Sequence, residues 1–413
     1  MTAAVLSTGT ELTRGELVNT NATWLADALT TLGFDVTELA TVGDDTAAIR
    51  QTLERLGHEH AVIVCTGGLG PTTDDLTSAV VAELLGVPLE RDHASLETIR
   101  ARLARIGRGV VAESNAKQAD FPRGATILAN DWGTAPGFAV RLGRALAFFL
   151  PGVPSEMSAM FHARVAPLVE PLERTRRHQI RLRTYGLPES EVNDRLAGLE
   201  TRHGVTLGYR ASLPEIEVKV LAPGATAEEA ARRARAAADE VRATLGDAVV
   251  YGEGDVTYAG ALVALLRERG QTLALAESCT GGLAAELVTR VPGSSQAFLG
   301  GVVAYANTVK ARLLGVDPAL LAAHGAVSAE VAVAMAEGTR SALGATFGLS
   351  FTGIAGPDGG SAEKPVGLVH FALAAPTVTK TVQRVFPGAR DQVRRRAVYL
   401  GLSLVRRALV DGG

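Results

Sequence analysis

The chain has 413 residues, of which 47% are hydrophobic and 21% charged, the composition of a globular protein with about two to four domains. Its formal net charge is −3 and no basic stripe stands out, so we expect no nucleic-acid partner. Cys65 and Cys279 lie far apart in apolar contexts, which argues against a disulfide framework and suits a reducing cytoplasm. No apolar run reaches membrane-spanning length and the chain opens on strand-like residues, so we expect neither a membrane segment nor a signal peptide.

Strand-like and helix-like segments alternate through residues 1–170. Predicted strands lie at 3–7, 34–41 and 61–65, with predicted helices at 20–32 and 46–56 between them. This order indicates βαβ units and a doubly wound parallel sheet, the first of two such α/β domains in the chain. Because such sheets bind ligands beyond the carboxyl ends of their strands, the polar residues at those ends are the candidates for a site.

The loop after the third predicted strand, residues 66–77, combines glycines with aspartates. Its glycines let backbone amides approach a phosphate, whereas the carboxylates of Asp74 and Asp75 repel one unless a divalent cation sits between them. The loop therefore indicates a phosphate and metal site. In the alternative, a threonine caps the following helix and the aspartates favour its N-terminal dipole. Asp44 and Asp45, after the second strand, are ordinary turn residues when taken singly.

Residues 171–252 follow a different pattern, with the predicted order β-α-β-β-α-β. This order is typical of a small α+β domain of the split-βαβ type. No Gly-x-x-Gly loop joins two helices in it, so we do not expect RNA binding and favour a spacer or dimerisation role. A linker rich in glycine is predicted at 251–257.

The last block, residues 257–413, contains a short apolar strand at 273–276. Ser278 and Thr280 lie on the turn after it, and two glycines and a helix follow. Backbone amides converge at such a turn, so a hydroxyl placed there can attack a carbonyl while the amides hold the oxyanion. In the alternative, the hydroxyl residues cap the helix and the glycines only make the turn tight.

Few bases are available to activate that hydroxyl. His324 and His370 lie in dissimilar contexts, which makes a Ser–His–Asp triad unattractive. Lys310 lies in the first turn of a predicted helix, where the dipole disfavours a cation, so a Ser–Lys pair is possible; a surface lysine is the alternative. Cys279 stays open as the nucleophile, because an adjacent helix N-terminus lowers the pKa of a thiol.

Motifs along the whole chain resemble the CinA family, the competence/damage-inducible proteins. In the first block they are GTEL at 9–12, NTN at 19–21, GGLGPTTDDLT at 67–77 and PGVPSEM at 151–157. The resemblance implies a molybdopterin-binding-like fold and metal-dependent hydrolysis of ADP-ribose at its pyrophosphate, with a vestigial binding domain as the alternative. By position it implies that Asp44 and Asp75 are a metal-binding pair. It also implies a phosphate loop made of Gly67, Gly68, Gly70 and Thr77, and a ligand-lining loop at 130–137 that contains Asn130.

The last block is similar to the CinA C-terminal domain through AESCTGG at 276–282, PGSS at 292–295, YANTVK at 305–310, HGAVS at 324–328, TGIAGPDGG at 352–360 and KPVG at 364–367. This resemblance implies deamidation of nicotinamide mononucleotide, and the family's middle domain is described as KH-like. One departure is Ala389, where the family usually has an aspartate before the arginine that is Arg390 here.

On that basis we predict an acyl-enzyme route in which Ser278 attacks the amide and Lys310 takes and returns the proton, with no cofactor at this site. Tyr305, Ser295 and Thr352 are predicted to complete the proton network or the oxyanion contacts. Substrate contacts are assigned to Glu277, Thr280, Gly281, Gly282, Gly353 and Arg390. A homodimer is expected from the family alone, and the competing class is a non-catalytic nucleotide-binding regulator associated with competence or the DNA damage response.

Overall fold

The computed structural model describes residues 1–105, 113–172 and 176–410, so the last three residues of the predicted third domain lie outside the described residues. Contacts divide the chain into two compact units, Met1–Gln179 with Leu221–Ala234 and Ile180–Val220 with Arg235–Gly413. In the described ranges, no helix has both the length and the apolar character needed to cross a bilayer.

The first block contains strands and helices in alternation. The strands are β1 (Thr2–Thr8), β2 (Asp35–Val42), β3 (Val62–Thr66), β4 (Leu89–Arg91), β5 (Asp120–Pro122), β6 (Thr126–Leu128), β7 (Gly137–Leu142) and β8 (Ala145–Leu150). The helices are α1 (Thr10–Thr13), α2 (Thr20–Thr31), α3 (Thr46–Glu59), α4 (Thr77–Leu85), α5 (His93–Arg105), α6 (Glu113–Ala116), α7 (Pro154–Met160) and α8 (Ala166–Val169). Short 3₁₀ turns cover Lys117–Ala119 and Glu170–Leu172, and a π-helical turn covers Phe161–Val165.

Six of these strands form one sheet in the order β2-β1-β3-β8-β7-β6, in which β2, β1, β3 and β8 are parallel. Strand β3 is buried along its whole length, and its alternate side chains enter two different cores. Ile63 packs on the face covered by α3 and α4, whereas Val64 packs on the face covered by α2 and α7. The predicted doubly wound α/β architecture is therefore confirmed for this block, and the carboxyl ends of its four parallel strands meet at one edge.

The middle block contains β9 (Arg176–Tyr185), α9 (Glu189–Arg195), α10 (Leu199–His203), β10 (Thr206–Ser212), β11 (Glu215–Gly224), α11 (Ala227–Leu245) and β12 (Val250–Glu253). Its strands form a sheet in the order β10-β11-β9-β12. The predicted β-α-β-β-α-β order is present, except that the first helix is two short helices. Gly198, with φ of 79°, lies between them directly before α10, and its left-handed backbone interrupts the helical path.

The last block has five strands, β13 (Leu273–Glu277), β14 (Phe298–Val303), β15 (Phe347–Gly353), β16 (Leu368–Ala374) and β17 (Thr379–Val385). Its helices are α12 (Tyr258–Glu268), α13 (Leu283–Thr289), α14 (Asn307–Leu314), α15 (Pro318–His324), α16 (Ala329–Leu343) and α17 (Arg390–Val410), with a 3₁₀ turn at Ser294–Gln296.

These strands are ordered β14-β13-β15-β16-β17. Strands β14, β13 and β15 are parallel, and β16 and β17 are antiparallel additions at one side. Leu275 packs with α12 and α17 on one face, and Ala276 packs with α14 and α16 on the other. Because the sheet is covered on both faces, its polar residues collect where the three parallel strands end.

Candidate functional sites

Ser278 begins the turn that follows β13, at the carboxyl edge of the last sheet. Its N–H donates to the Phe351 carbonyl at 2.9 Å, which ties the turn to the neighbouring strand β15. Gly281 and Gly282 have φ of 61° and 91°, a left-handed backbone that side chains other than glycine rarely adopt. The two glycines therefore let the chain reverse and enter α13 directly behind the serine.

Glu277 stabilises the start of α13 rather than facing a cavity. Its side chain is 1% exposed, and its carboxylate accepts the N–H groups of Gly282, Ala284 and Ala285 at 3.0, 3.0 and 2.8 Å. These are amides that a helix leaves without an internal partner at its first turn. The structure therefore gives Glu277 a capping role and does not bring it among the residues that line the cavity described below.

Arg394 holds the other side of the same turn. Its Nε and Nη2 atoms donate to the Thr280 carbonyl at 3.2 and 2.9 Å from helix α17. Thr280 itself is fully buried and does not line the cavity, and neither do Gly281 and Gly282 of the same turn. No local pattern distinguishes Arg394 from the arginines beside it, and the sequence analysis did not single it out.

Lys310 lies in the first turn of α14, as predicted, and is 1% exposed. Its Nζ lies 2.8 Å from the Ala304 carbonyl oxygen, 3.1 Å from the Tyr305 carbonyl oxygen and 3.2 Å from the Ser278 hydroxyl oxygen. A neutral amine has two N–H donors and one lone pair, so donation to the two carbonyls leaves the lone pair for the serine hydroxyl. Burial lowers the pKa of this amine, because desolvation penalises its charged form.

Cys279 is the neighbouring candidate nucleophile and is 6% exposed. Burial raises the pKa of its thiol to about 12, despite the nearby Lys310 and Arg390. A thiol in this state is protonated at neutral pH and is a poor nucleophile. The geometry therefore favours Ser278 over Cys279.

A cavity of about 280 Å³ opens in front of Ser278 and Lys310. The other lining residues are Cys279, Tyr305, Ala326, Val327, Thr352, Gly353, Ile354, Ala355, Gly356, Asp358, Gly359 and Arg390. Arg390 lies at the mouth, where its guanidinium donates to the Gly356 carbonyl at 2.8 Å and to the Tyr305 hydroxyl at 3.2 Å. The Thr352 hydroxyl donates to the Ala326 carbonyl at 2.6 Å. The structure thus brings Ser278, Lys310, Tyr305, Thr352, Gly353 and Arg390 together.

Ser295 is not brought to this cavity. It lies in the 3₁₀ turn before β14, whose first residue pairs with the first residue of β13. Ser278 follows the last residue of β13, so the two serines lie at opposite ends of a five-residue strand, roughly 16 Å long. Within this chain, Ser295 therefore does not join the proton network for which it was predicted.

A second cavity, of about 630 Å³, lies at the carboxyl ends of β1, β2, β3 and β8 in the first block. The loop after β3 supplies Gly67, Gly68 and Gly70 to its lining. A Cβ atom on Gly67 would lie 2.3 Å from the Thr8 carbonyl oxygen, and one on Gly70 would lie 2.6 Å from an Asp75 carboxylate oxygen. At Gly67 only glycine fits, because the obstacle is backbone, whereas at Gly70 the obstacle is the movable end of the Asp75 side chain.

Thr77 and Asn130 support this cavity without lining it. The Thr77 hydroxyl donates to the Gly67 carbonyl at 3.2 Å, which fixes the glycine turn. The Asn130 amide donates to Glu156 at 2.7 Å and accepts the N–H groups of Trp132 and Gly133. Both residues therefore shape the loops around the predicted site.

Asp44 and Asp75, the predicted metal ligands, line this one cavity. Asp44 Oδ2 accepts the Thr10 N–H at 2.8 Å, and Asp75 Oδ2 accepts the Thr72 N–H at 2.8 Å. Each Oδ1 accepts no hydrogen bond from the described residues. The described part of the chain has no cluster of three or more histidine, cysteine or acidic residues that holds a metal by itself. Two carboxylates fit Mg²⁺, which completes its coordination with water and substrate phosphate.

Three family models match consecutive parts of the chain. They are a probable molybdopterin binding domain over residues 4–171, the KH domain of the damage-inducible protein CinA over 179–252 and the CinA C-terminal domain over 255–409.

Several relatives match this chain over nearly its whole length. The CinA-like protein of Anaeromyxobacter sp. (strain Fw109-5) is 47% identical and covers 98% of each chain. The CinA-like protein of Geobacter sulfurreducens is 44% identical and covers 99% of this chain and 100% of its own. The crystal structure of the competence/damage inducible protein CihA from Agrobacterium tumefaciens is 39% identical over 37% of this chain and 93% of that one, with a TM-score of 0.36.

The fold and the two cavities define an α/β protein in which a molybdopterin-binding-like domain is followed by a small KH-like domain and a second α/β domain. The chain belongs to the CinA family.

Proposed function

We propose that the C-terminal domain hydrolyses the amide of nicotinamide mononucleotide to give nicotinate mononucleotide and ammonia. The observation that carries this proposal is the 3.2 Å separation between the Lys310 amine and the Ser278 hydroxyl at the end of a polar cavity. A buried amine with a lowered pKa is a general base, and a hydroxyl within its reach is a nucleophile.

In the first half-reaction, Ser278 Oγ attacks the amide carbon and its proton passes to Lys310 Nζ. The C–N bond then breaks, and the leaving nitrogen takes that proton from Lys310 and departs as ammonia. The product of this step is an ester between Ser278 and the nicotinate group. We assign the oxyanion contacts to the N–H groups of Cys279 and Thr280, which have no backbone acceptor in the described ranges, whereas the other amides of this turn already donate elsewhere.

In the second half-reaction, Lys310 accepts a proton from a water molecule as the water oxygen attacks the ester. The ester bond breaks, the proton returns to Ser278 Oγ, and nicotinate mononucleotide leaves. Arg390 is the cation at the cavity mouth, and a guanidinium there suits the phosphate of the nucleotide. Tyr305 receives a hydrogen bond from Arg390 and so holds that guanidinium over the cavity.

Ammonia release from nicotinamide mononucleotide tests this proposal. We expect Ser278→Ala to lose ~10³-fold or more of kcat and Lys310→Ala to lose ~10²–10⁴-fold, because they remove the nucleophile and the base. Circular dichroism confirms that each variant is folded. Turnover at the wild-type rate in either folded variant contradicts the mechanism.

We also propose that the N-terminal domain hydrolyses the pyrophosphate of ADP-ribose. A divalent cation held by Asp44 and Asp75 would offset phosphate charge when it is bound. The glycine turn at 67–70 presents its backbone to the phosphates. Observations that support this are the single cavity shared by both aspartates and the glycines, and the free Oδ1 atom on each aspartate.

The test for this site is release of AMP from ADP-ribose with Mg²⁺ or Mn²⁺. We expect Asp75→Asn to abolish it, because the amide keeps the Thr72 hydrogen bond but loses the charge. The two active-site variants serve as controls for each other. Ser278→Ala retains ADP-ribose hydrolysis, and Asp75→Asn retains deamidation.

The second candidate function is a nucleotide-binding regulator without turnover, since glycine loops at strand ends also suit binding alone. It predicts saturable binding of both nucleotides and no product from either. The same two assays distinguish this candidate from the hydrolase. Homodimerisation stays a prediction from the family.

A further inference from the structure

Thr8, at the end of β1, carries a buried hydroxyl with no hydrogen-bond partner among the described residues. The residue is 4% exposed, and it lines the N-terminal cavity. Native proteins pair nearly all such groups, because an unpaired buried hydroxyl costs stability. An unpaired hydroxyl at a cavity wall therefore indicates a partner that enters the cavity.

The surroundings of this hydroxyl suit an anion. It lies against the glycine turn, since Cβ atoms on Gly67 and Gly68 would lie 2.8 and 3.1 Å from Thr8 Oγ1. The Gly67 N–H donates to the Leu150 carbonyl, whereas the N–H groups of Gly68, Leu69 and Gly70 donate to no acceptor in the described ranges. Free amides of consecutive turn residues beside a hydroxyl form a set of neutral donors, which is how proteins cradle phosphate.

Charge on the cavity wall makes these neutral donors more important. Its described lining contains five carboxylates and no lysine, arginine or histidine; the acids are Glu11, Asp44, Asp74, Asp75 and Glu156. A phosphate there is held by N–H and O–H donors and by cations from solution, because the protein offers it no basic side chain.

Asn21 supplies a hydrogen-bond acceptor to the same cavity, where Thr8 and the glycine turn supply donors. Its Nδ2 donates to the Gly152 carbonyl at 2.7 Å and to the Thr66 hydroxyl at 3.2 Å. Because a carbonyl only accepts, this contact fixes which end of the amide faces Gly152. The Oδ1 atom is left buried and unpaired, and the residue lines the same cavity. Asn21 therefore presents an acceptor to a ligand that carries a hydroxyl or another donor.

We propose that Thr8 and Asn21 are ligand-binding residues for a ribose phosphate. The Thr8 hydroxyl donates to a phosphate oxygen above the glycine turn, and Asn21 Oδ1 accepts a hydrogen bond from a sugar hydroxyl. This inference rests on the proposed nucleotide function of the N-terminal domain and names the part of the nucleotide that this wall recognises.

The variant that tests it is Thr8→Val, which removes the hydroxyl and keeps the shape of the side chain. Thr66→Val is the control for stability alone, because the Thr66 hydroxyl on the neighbouring strand donates to the Pro151 carbonyl at 2.9 Å and accepts from Asn21 Nδ2. Full-length proteins are titrated calorimetrically with ribose 5-phosphate and with inorganic phosphate in excess Mg²⁺. Ribose 5-phosphate has no pyrophosphate bond, so turnover does not disturb the titration. Thermal unfolding is measured without ligand.

We expect Thr8→Val to bind ribose 5-phosphate about ten- to a hundredfold more weakly, the effect of one hydrogen bond to a charged group. Without ligand it unfolds at or above the wild-type temperature, since an unpaired buried hydroxyl is gone. Thr66→Val unfolds about 2–4 °C lower, because its Pro151 partner is left unpaired. The wild type binds ribose 5-phosphate more tightly than inorganic phosphate.

Equal binding by Thr8→Val and wild type overturns the inference, and so does a loss of stability in Thr8→Val that matches Thr66→Val. Equal affinity of the wild type for ribose 5-phosphate and inorganic phosphate overturns the role of Asn21. In these cases ADP-ribose hydrolysis by the wild type leaves the proposed function intact. If the wild type binds neither ribose 5-phosphate nor ADP-ribose, the proposed N-terminal function fails and the inference fails with it.

Discussion

At the scale of single residues, the Lys310 amine is the group on which the last domain depends. Two backbone carbonyls accept its N–H donors, and the Ser278 hydroxyl lies at hydrogen-bond distance from the same nitrogen. A charged amine here would lose its hydration shell and gain only neutral hydrogen-bond partners. Burial therefore favours the neutral amine, which is the form that can accept a proton from Ser278.

The pH dependence of deamidation follows from this lowered pKa. The folded pKa of Lys310 lies below the ordinary lysine value of about 10.4, and only the neutral amine accepts the serine proton. We expect kcat/KM to rise with pH through that lowered pKa and to level off above it. Because the unfolded state binds the proton more tightly, the stability cost of burying this amine also shrinks as pH rises towards the ordinary value.

A pH titration of kcat/KM for wild type and Lys310→Arg provides the measurement. Arginine stays charged throughout, so this variant should be inactive at every pH. A wild-type profile that is flat from pH 6 to 10 would show that no base of this kind takes part.

Cys279 provides a second prediction at this scale. Its thiol pKa of about 12 leaves almost no thiolate at neutral pH, so Cys279→Ala should retain kcat within about threefold. Mass spectrometry after fluorophosphonate labelling checks the site of modification, which we expect at Ser278. Loss of deamidation in Cys279→Ala alone would move the nucleophile by one residue.

At the scale of elements, the turn between β13 and α13 is held from two sides. Glu277 binds three amides at the helix start, and Arg394 binds the Thr280 carbonyl from α17. The turn that carries Ser278 therefore has little freedom, which is what a nucleophile needs in order to keep its distance from its base.

We predict that Glu277→Gln lowers the free energy of unfolding by about 1 kcal/mol, because hydrogen bonds to a charged acceptor become hydrogen bonds to a neutral one. Glu286→Gln on the same helix is the control, since its carboxylate is exposed and, among the described residues, pairs only with Arg290 one turn away. That change should stay within about 0.5 kcal/mol. Urea unfolding measures both, and equal effects would argue against the cap.

At the scale of the whole molecule, the second compact unit joins the middle sheet to the last domain through buried polar contacts. Glu215 of β11 accepts hydrogen bonds from the hydroxyls of Tyr251 and of Tyr399, the latter at 2.9 Å from α17. Burial, together with Glu215, raises the pKa of both tyrosines, so they stay protonated donors. Arg183 pairs with Glu217 at 2.7 Å beside them.

Removal of one donor from this network should weaken the whole unit. We predict that Tyr399→Phe lowers the free energy of unfolding by about 1–3 kcal/mol, because a buried carboxylate loses a partner. Tyr209→Phe is the control, since that hydroxyl donates to no acceptor in the described part of the chain. Differential scanning calorimetry makes the comparison, and a Tyr399→Phe variant as stable as Tyr209→Phe would contradict the role of this network.

The sequence by itself determined the class of fold and the places where chemistry collects. Alternating apolar segments predict the strands and helices because burial of one face imposes a short, local period. The end of a strand is also set by neighbouring residues in the sequence. Ser278, Lys310 and the glycine loop at 67–77 are therefore recognisable from the sequence alone. Their distance from one another was not, since 31 residues separate Ser278 from Lys310 along the chain.

Only the tertiary structure decided which polar groups already have partners. Glu277 is next to Ser278 in sequence, yet its carboxylate binds the amides at the start of α13. Ser295 precedes β14 and so lies at the end of the sheet opposite to Ser278. Thr8 looks like any strand threonine until its unpaired hydroxyl is found. The physical reason is that a buried polar group takes its partner from whatever segment folding brings to it, as the Thr66 hydroxyl does from Pro151 across 85 positions.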